Sequence, residues 1–119
     1  MLQDDYYLNI EADAFFERWH AKNNSFNGEL RANKKDILLK LEQENLLSKQ
    51  KKILEVGCFV GDLLSHIKKK YESNVFGVET SAKACAMSKD LYDLVLENNS
   101  FTGSSYFHFN KESQKSFDL

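Results

Sequence analysis

Hydrophobic positions along the chain change their period several times, and each change marks an expected element. Between residues 12 and 22, Ala12, Phe15, Phe16 and Trp19 fall at i, i+3, i+4 and i+7, the spacing of one helical stripe, with Asp13 near its start. After "NNSFNG" the helical period returns over 29–47 through Leu30, Ile37, Leu38 and Leu41, with lysine and glutamate on the other face. At "SKQKKILEVG" the texture changes: Ile53, Leu54 and Val56 form a short branched run between a lysine cluster and a glycine, which predicts a buried strand. Leu63, Leu64, Ile67 and Tyr71 restore helical spacing, and "SNVFGVE" (73–79) reads as a second apolar strand ending in an acid. Residues 52–79 therefore predict strand, helix, strand, the βαβ unit from which parallel sheets are built.

Farther along, "TSAKACAMSK" (80–89) opens with N-capping residues and continues with alanine and methionine, which predicts another packed helix. Leu94, Val95 and Leu96 predict a short third strand. The segment 98–116 sets turn residues around a cluster of aromatics and reads as strand, loop or partly disordered chain. No internal repeat and no low-complexity tract interrupts this order.

Composition narrows the function classes. At 119 residues the chain holds one domain at most, yet it is long enough to bury a core. Apolar residues make up 42% and charged residues 29%, and the net charge of −2 gives no basic surface, so nucleic acid is not an expected partner. The groups "KQKK" (49–52) and "KKK" (68–70) read as solvated lysines. Cys58 and Cys85 lie far apart without metal-type spacing, which excludes a zinc pattern and points to a reducing compartment, the cytoplasm being the simplest. No apolar run approaches the roughly 20 residues of a membrane span, and "MLQDDYYLNIEADAFF" lacks the basic start of a secretory signal. No membrane partner is expected.

Candidate chemistry sits at "ILEVGCFVGDLLSHI", residues 53–67. Gly57 and Gly61, between a strand and a helix, allow a sharp turn and let a ligand approach the backbone. The helix that follows offers unpaired N–H groups and the positive end of its dipole. Glu79 ends the second strand 18 positions after Gly61, where Rossmann-like sites place a ribose-binding acid. A dinucleotide fingerprint counted from Gly57 would need glycine at 59 and 62, where the chain has Phe59 and Asp62, and a pyrophosphate would meet the acids Glu55 and Asp62. NAD is therefore disfavoured. A ligand with a ribose and a cationic amino-acid end gains from a carboxylate at Glu55 instead, and S-adenosylmethionine has such an end.

With these residues in view, "LEVGCFVGDLL" resembles the first motif of class I S-adenosylmethionine-dependent methyltransferases, an acid-x-Gly-x-Gly-x-Gly pattern, and "VFGVETSAKA" resembles their second. The resemblance implies that Glu55, Gly57, Cys58, Phe59 and Gly61 line the loop around the methionine part of the cofactor. It also implies that Glu79 binds the ribose and that Thr80 lies beside the adenine. Phe59 departs from the family, which usually has glycine there; its ring either narrows the cofactor pocket or points away. Cys58 reads as a packed small residue that offers backbone, since no activating base accompanies it.

The family's N-terminal helices often cap the cofactor, which makes 1–50 a helical cap and 51–119 a partial cofactor-binding domain. Trp19 and His20 are the cap residues placed to face a ligand, although an apolar stripe more often marks core. His66 and His108 have no recognisable partners. "SFDL" (116–119) resembles the opening of the family's fourth strand. The expected fold is thus an α/β, Rossmann-like parallel sheet with N-terminal helices, incomplete near that strand.

The expected function is methyl transfer from S-adenosylmethionine to a small-molecule acceptor, with this chain carrying the cofactor-binding half and no catalytic residue identifiable. The alternative is a non-catalytic cofactor-binding or assembly module that needs a partner chain. An incomplete sheet leaves an open edge, so a homodimer or strand exchange is also expected.

Overall fold

The computed structural model describes residues 3–99. Seven elements follow in the order α1 (Gln3–Lys22), α2 (Ala32–Gln43), β1 (Lys52–Val56), α3 (Asp62–Tyr71), β2 (Asn74–Glu79), α4 (Ala82–Tyr92) and β3 (Glu97–Asn98). The strands form one open sheet in the order β1-β2-β3 with both pairings parallel, a Rossmann-like α/β arrangement. In register, Ile53 stands beside Val75, Glu55 beside Gly77 and Val56 beside Val78. The expected features at "SFDL" and His108, and nearly all of 98–116, lie outside the described residues.

Alternation along β1 and β2 decides which side chains reach the core. Ile53 and Val75 pack with Leu63, Leu64 and Ile67 of α3, and Leu38, Leu47, Leu94 and Leu96 complete that cluster. Leu54, Val56 and Phe76 sit at the intervening positions; the first and last are half-buried and Val56 is half exposed. The expected buried strand β1 thus has Ile53 buried, Leu54 and Glu55 half-buried and Val56 half exposed.

Several boundaries differ from the sequence pattern for identifiable reasons. Helix α1 begins at Gln3, well before the apolar stripe, because no glycine or proline interrupts residues 3–11. Within that stripe only Phe16 is buried, while Phe15 is exposed. Helix α2 spans twelve residues rather than the expected nineteen, and Ile37 of its stripe is exposed. It stops at a left-handed Asn45 (φ 54°), with Leu46 N–H donating to Leu41 O at 3.0 Å, and the turn brings Leu47 into the core. The third strand pairs at Glu97–Asn98 instead of 94–96. Leu94 and Leu96 are buried before pairing begins, and Val95 between them is 77% exposed.

The N-terminal segment packs directly onto the βαβ core, α1 against α4 and α2 against α3. Asp13, expected near a helix start, lies inside α1 and serves a different helix: its Oδ1 accepts from Ser81 Oγ at 2.6 Å and from Lys83 N–H at 3.0 Å. Ser81 is the N-cap of α4, and its Oγ accepts from Ala84 N–H at 3.1 Å. A carboxylate from α1 thus sits at the positive end of α4. On the other side, Glu42 of α2 accepts from Lys70 Nζ at 2.7 Å and from the Tyr71 hydroxyl.

Gly77 in the middle of β2 is set by space. A Cβ there would stand 2.7 Å from Cys58 Sγ and Leu64 Cδ1 and 2.8 Å from Leu96 Cδ2. Gly77→Ala is expected to lower stability by about 1–3 kcal/mol through overpacking, although alanine is otherwise the better strand-interior residue; the midpoint of urea unfolding reads the change.

Candidate functional site

The turn from β1 into α3 occupies residues 57–61, and its backbone alternates. Gly57 (φ 70°), Phe59 (φ 55°) and Gly61 (φ 79°) are left-handed. Glycine adopts this region freely, whereas an L side chain costs about 1–2 kcal/mol there. The turn is held to the end of β2: Val78 O accepts from Gly57 N–H at 2.8 Å and from Cys58 N–H at 3.4 Å, and Gly61 N–H donates to Cys58 O at 2.9 Å. No side chain caps the start of α3 among the described residues.

Glu79 joins this turn to the second strand's end. Its Oε1 accepts from Phe59 N–H and its Oε2 from Ser81 N–H, both at 2.8 Å, and the residue is buried. The glycine turn and the strand-ending acid therefore meet through Phe59, with the acid's oxygens each holding one backbone donor. Thr80 follows, half-buried, and its carbonyl accepts from Asn98 Nδ2 at 2.9 Å; the same amide donates to Glu79 O at 3.1 Å. Asn98 was not marked by any sequence signal.

Phe59 accounts for the strained position it occupies. Its ring is buried under α1, edge-on to Trp19 with centroids 5.0 Å apart, 5.8 Å from Phe16 and 5.7 Å from Phe15. Arg31 lies over it at 4.9 Å from the guanidinium carbon. The ring packs against the N-terminal helix, and the apolar area it buries offsets the backbone cost. Trp19 also meets Phe26 edge-on, and His20 stacks on Phe16. Trp19 and His20 are both half-buried members of this aromatic cluster.

Two cations from the start of α2 pair with the turn's acids. Arg31 grips Asp62 at the first position of α3: Oδ2 accepts from the Arg31 backbone N–H (2.9 Å) and Nε (3.0 Å), and Oδ1 from Nη2 (2.8 Å). The Asp62 side chain has no exposed surface. It brings no uncompensated negative charge to the turn, unlike the sequence expectation. One helical turn on, Lys34 Nζ donates to Glu55 Oε2 at 2.7 Å. Glu55 Oε1 is shut off from solvent and has no hydrogen-bond partner among the described residues. Burial pushes the Glu55 carboxyl up from its ordinary value, and the Lys34 bond and charge pull it back. No local pattern marks Arg31 or Lys34, whose partners lie 31 and 21 positions away.

Neither cysteine is a nucleophile. Cys58 is fully buried and its thiol donates to Val78 O at 3.7 Å; burial, then Glu55 and Glu79, push its pKa far up. Burial pushes the Cys85 thiol up to about 12. Among the described residues no three His, Cys, Asp or Glu side chains gather as they would around a metal ion, and no helix is long and apolar enough to cross a membrane.

The chain matches no protein-family model and no curated protein. Among solved structures it is similar to that of the MccD protein, with a TM-score of 0.41 and 16% identity over 49% of this chain. The match spans 28% of the MccD chain.

Two outcomes follow from this geometry. Arg31→Met leaves the buried Asp62 carboxylate unpaired and is expected to cost about 3–5 kcal/mol in urea unfolding at neutral pH, with Arg31→Lys recovering part of it. Both thiols stay protonated near pH 8, since their pKa values are raised, so a chromogenic disulfide reagent should label the native protein far more slowly than the unfolded chain.

Proposed function

We propose that the chain binds S-adenosylmethionine at the β1–α3 turn and carries the cofactor-binding part of an enzyme that methylates a small-molecule acceptor. The observation that carries this reading is the joint between the turn and the end of β2. Left-handed backbone at 57, 59 and 61 brings Phe59 N–H onto the Glu79 carboxylate, so the glycine turn and the strand-ending acid form one corner.

Features of that corner fit the ligand. Apart from its chain neighbours, no atom of the described residues lies within 4 Å of a Cβ built on Gly57, so the backbone there can be approached closely. Glu55 Oε1 is a buried acceptor without a donor, which an ammonium group would satisfy. Each Glu79 oxygen accepts one N–H and retains a lone pair for a ribose hydroxyl. When bound, the cofactor supplies an electrophilic methyl group for direct displacement by the acceptor. The chain's share is alignment: Glu55 and Glu79 fix the two ends of the ligand, and the Phe16, Trp19 and Phe59 rings exclude water on the α1 side. The small-molecule acceptor is supported by the helical cap and by the lack of net basic charge.

One observation favours a second reading, a cofactor-binding module completed by a partner chain. Val56, at the end of β1, is half exposed. Turnover of the isolated chain with candidate acceptors separates the two, since a module binds without turning over.

Calorimetric titration of S-adenosylhomocysteine into the parent and Glu79→Gln tests the binding site. The glutamine keeps an acceptor for one of the two backbone N–H groups, where alanine would strand both in a buried place. Binding by the parent and a loss of at least about tenfold in the variant are expected, each tenfold being 1.4 kcal/mol of ligand contact. A folded parent that takes up no ligand overturns the reading.

A further inference from the structure

We infer that Lys34 is a positioning residue for ligand binding: it holds Glu55 as an aimed, ionised carboxylate through Oε2, leaving Oε1 as the acceptor for a ligand's ammonium group. This rests on the proposed cofactor reading and deepens it. The two oxygens of Glu55 differ in their surroundings. Oε2 takes Lys34 Nζ at 2.7 Å, while Oε1 is out of water and has no donor. The side chains of Lys34 and Glu55 are only 14% and 15% exposed, so the pair is not a solvent-screened surface contact. Gly57 follows the end of β1 two positions after Glu55, with its backbone left-handed (φ 70°). The open backbone of Gly57 thus lies within two residues of the Glu55 carboxylate.

The charges around Glu55 make Lys34 the decisive one. Lys34 from α2 and Arg31 just before it are the cations, Asp62 at the start of α3 is the nearby acid, and the buried Cys58 thiol is neutral. Arg31 is already committed to Asp62 by three hydrogen bonds. Burial and Asp62 both favour the protonated form of Glu55, and Lys34 opposes them most strongly. Without Lys34 the Glu55 pKa rises further, which favours the protonated carboxyl and weakens its attraction for an ammonium group as pH falls.

Calorimetry with two probes at about pH 6 and about pH 8 separates the outcomes. S-adenosylhomocysteine carries the ammonium; 5′-methylthioadenosine is the same nucleoside thioether without the amino-acid end. For the parent and for Lys34→Arg, S-adenosylhomocysteine affinity should change by less than about threefold between the two pH values. For Lys34→Gln, which keeps a donor and removes the charge, it should be at least about tenfold weaker at the lower pH, a tenfold change corresponding to one pKa unit. Methylthioadenosine should bind all three proteins alike at both. A pH-independent or tighter S-adenosylhomocysteine affinity in Lys34→Gln overturns the inference while leaving the cofactor reading intact, and so does an equal loss of both probes. If the parent binds neither probe, both ideas fall together.

Should thermal unfolding show that Lys34→Gln does not fold, Glu55→Gln in the parent decides. At least about tenfold weaker S-adenosylhomocysteine with unchanged methylthioadenosine upholds the role of Oε1, and equal S-adenosylhomocysteine affinity overturns it.

Discussion

The rest of the molecule depends on how the chain leaves β1. It must pass from an extended strand to a helix within five residues while its N–H groups stay anchored on the neighbouring strand. Alternate left-handed residues at 57, 59 and 61 do this, with Val78 O and the Glu79 carboxylate as anchors. Two of the three positions are glycine, which needs nothing further. The third is Phe59, and an L side chain in that conformation persists only when its surroundings over-determine it. The surroundings are α1, with Trp19 and Phe16, and the guanidinium of Arg31. The N-terminal helices are therefore part of what allows this turn to exist, as well as a cover over it.

The seam between those helices and the sheet is polar at its edges and aromatic in its middle. One short stretch, residues 31–34, delivers both Arg31 to Asp62 and Lys34 to Glu55. Buried or half-buried ion pairs add little net stability against an apolar alternative, because removing two charges from water costs several kcal/mol each in rough terms. Their effect here is on register: Arg31 fits Asp62 through backbone and side chain at once, which fixes where α2 begins against α3. Asp13 does the same for α1 at the start of α4. Between these fixed points the aromatic rings fill the space. One corner is thereby built from the β1–α3 turn, the end of β2 and the N-terminal helices, three segments that are distant in sequence.

The residues that line this corner differ in how readable they are. Gly57, Gly61 and Glu79 follow local rules, since a turn after a short apolar run needs glycine and a parallel strand ends at a site. Ser81 was readable as a helix cap for the same reason. Arg31, Lys34 and Asn98 follow no local rule: each is an ordinary polar residue whose partner lies 18 to 31 positions away. The third strand was misplaced by three residues because Leu94 and Leu96 are apolar for core packing, and pairing with β2 starts only where Glu97 comes level with Val78. Likewise the stripes through Phe15 in α1 and Ile37 in α2 promised burial that the packing partners do not supply.

The order and type of the elements and the place of the turn are legible in the residues alone. Periodicity and glycine positions are local properties, and helix, strand and tight turn obey local sterics. The direction of the Phe59 ring, the partners of Asp62 and Glu55, and the two backbone donors on Glu79 are set by the folded arrangement. Those depend on which distant segments come to share one volume. Hydrogen bonds and ion pairs form across space with no signature in residue spacing, so their partners become visible only once the chain has folded.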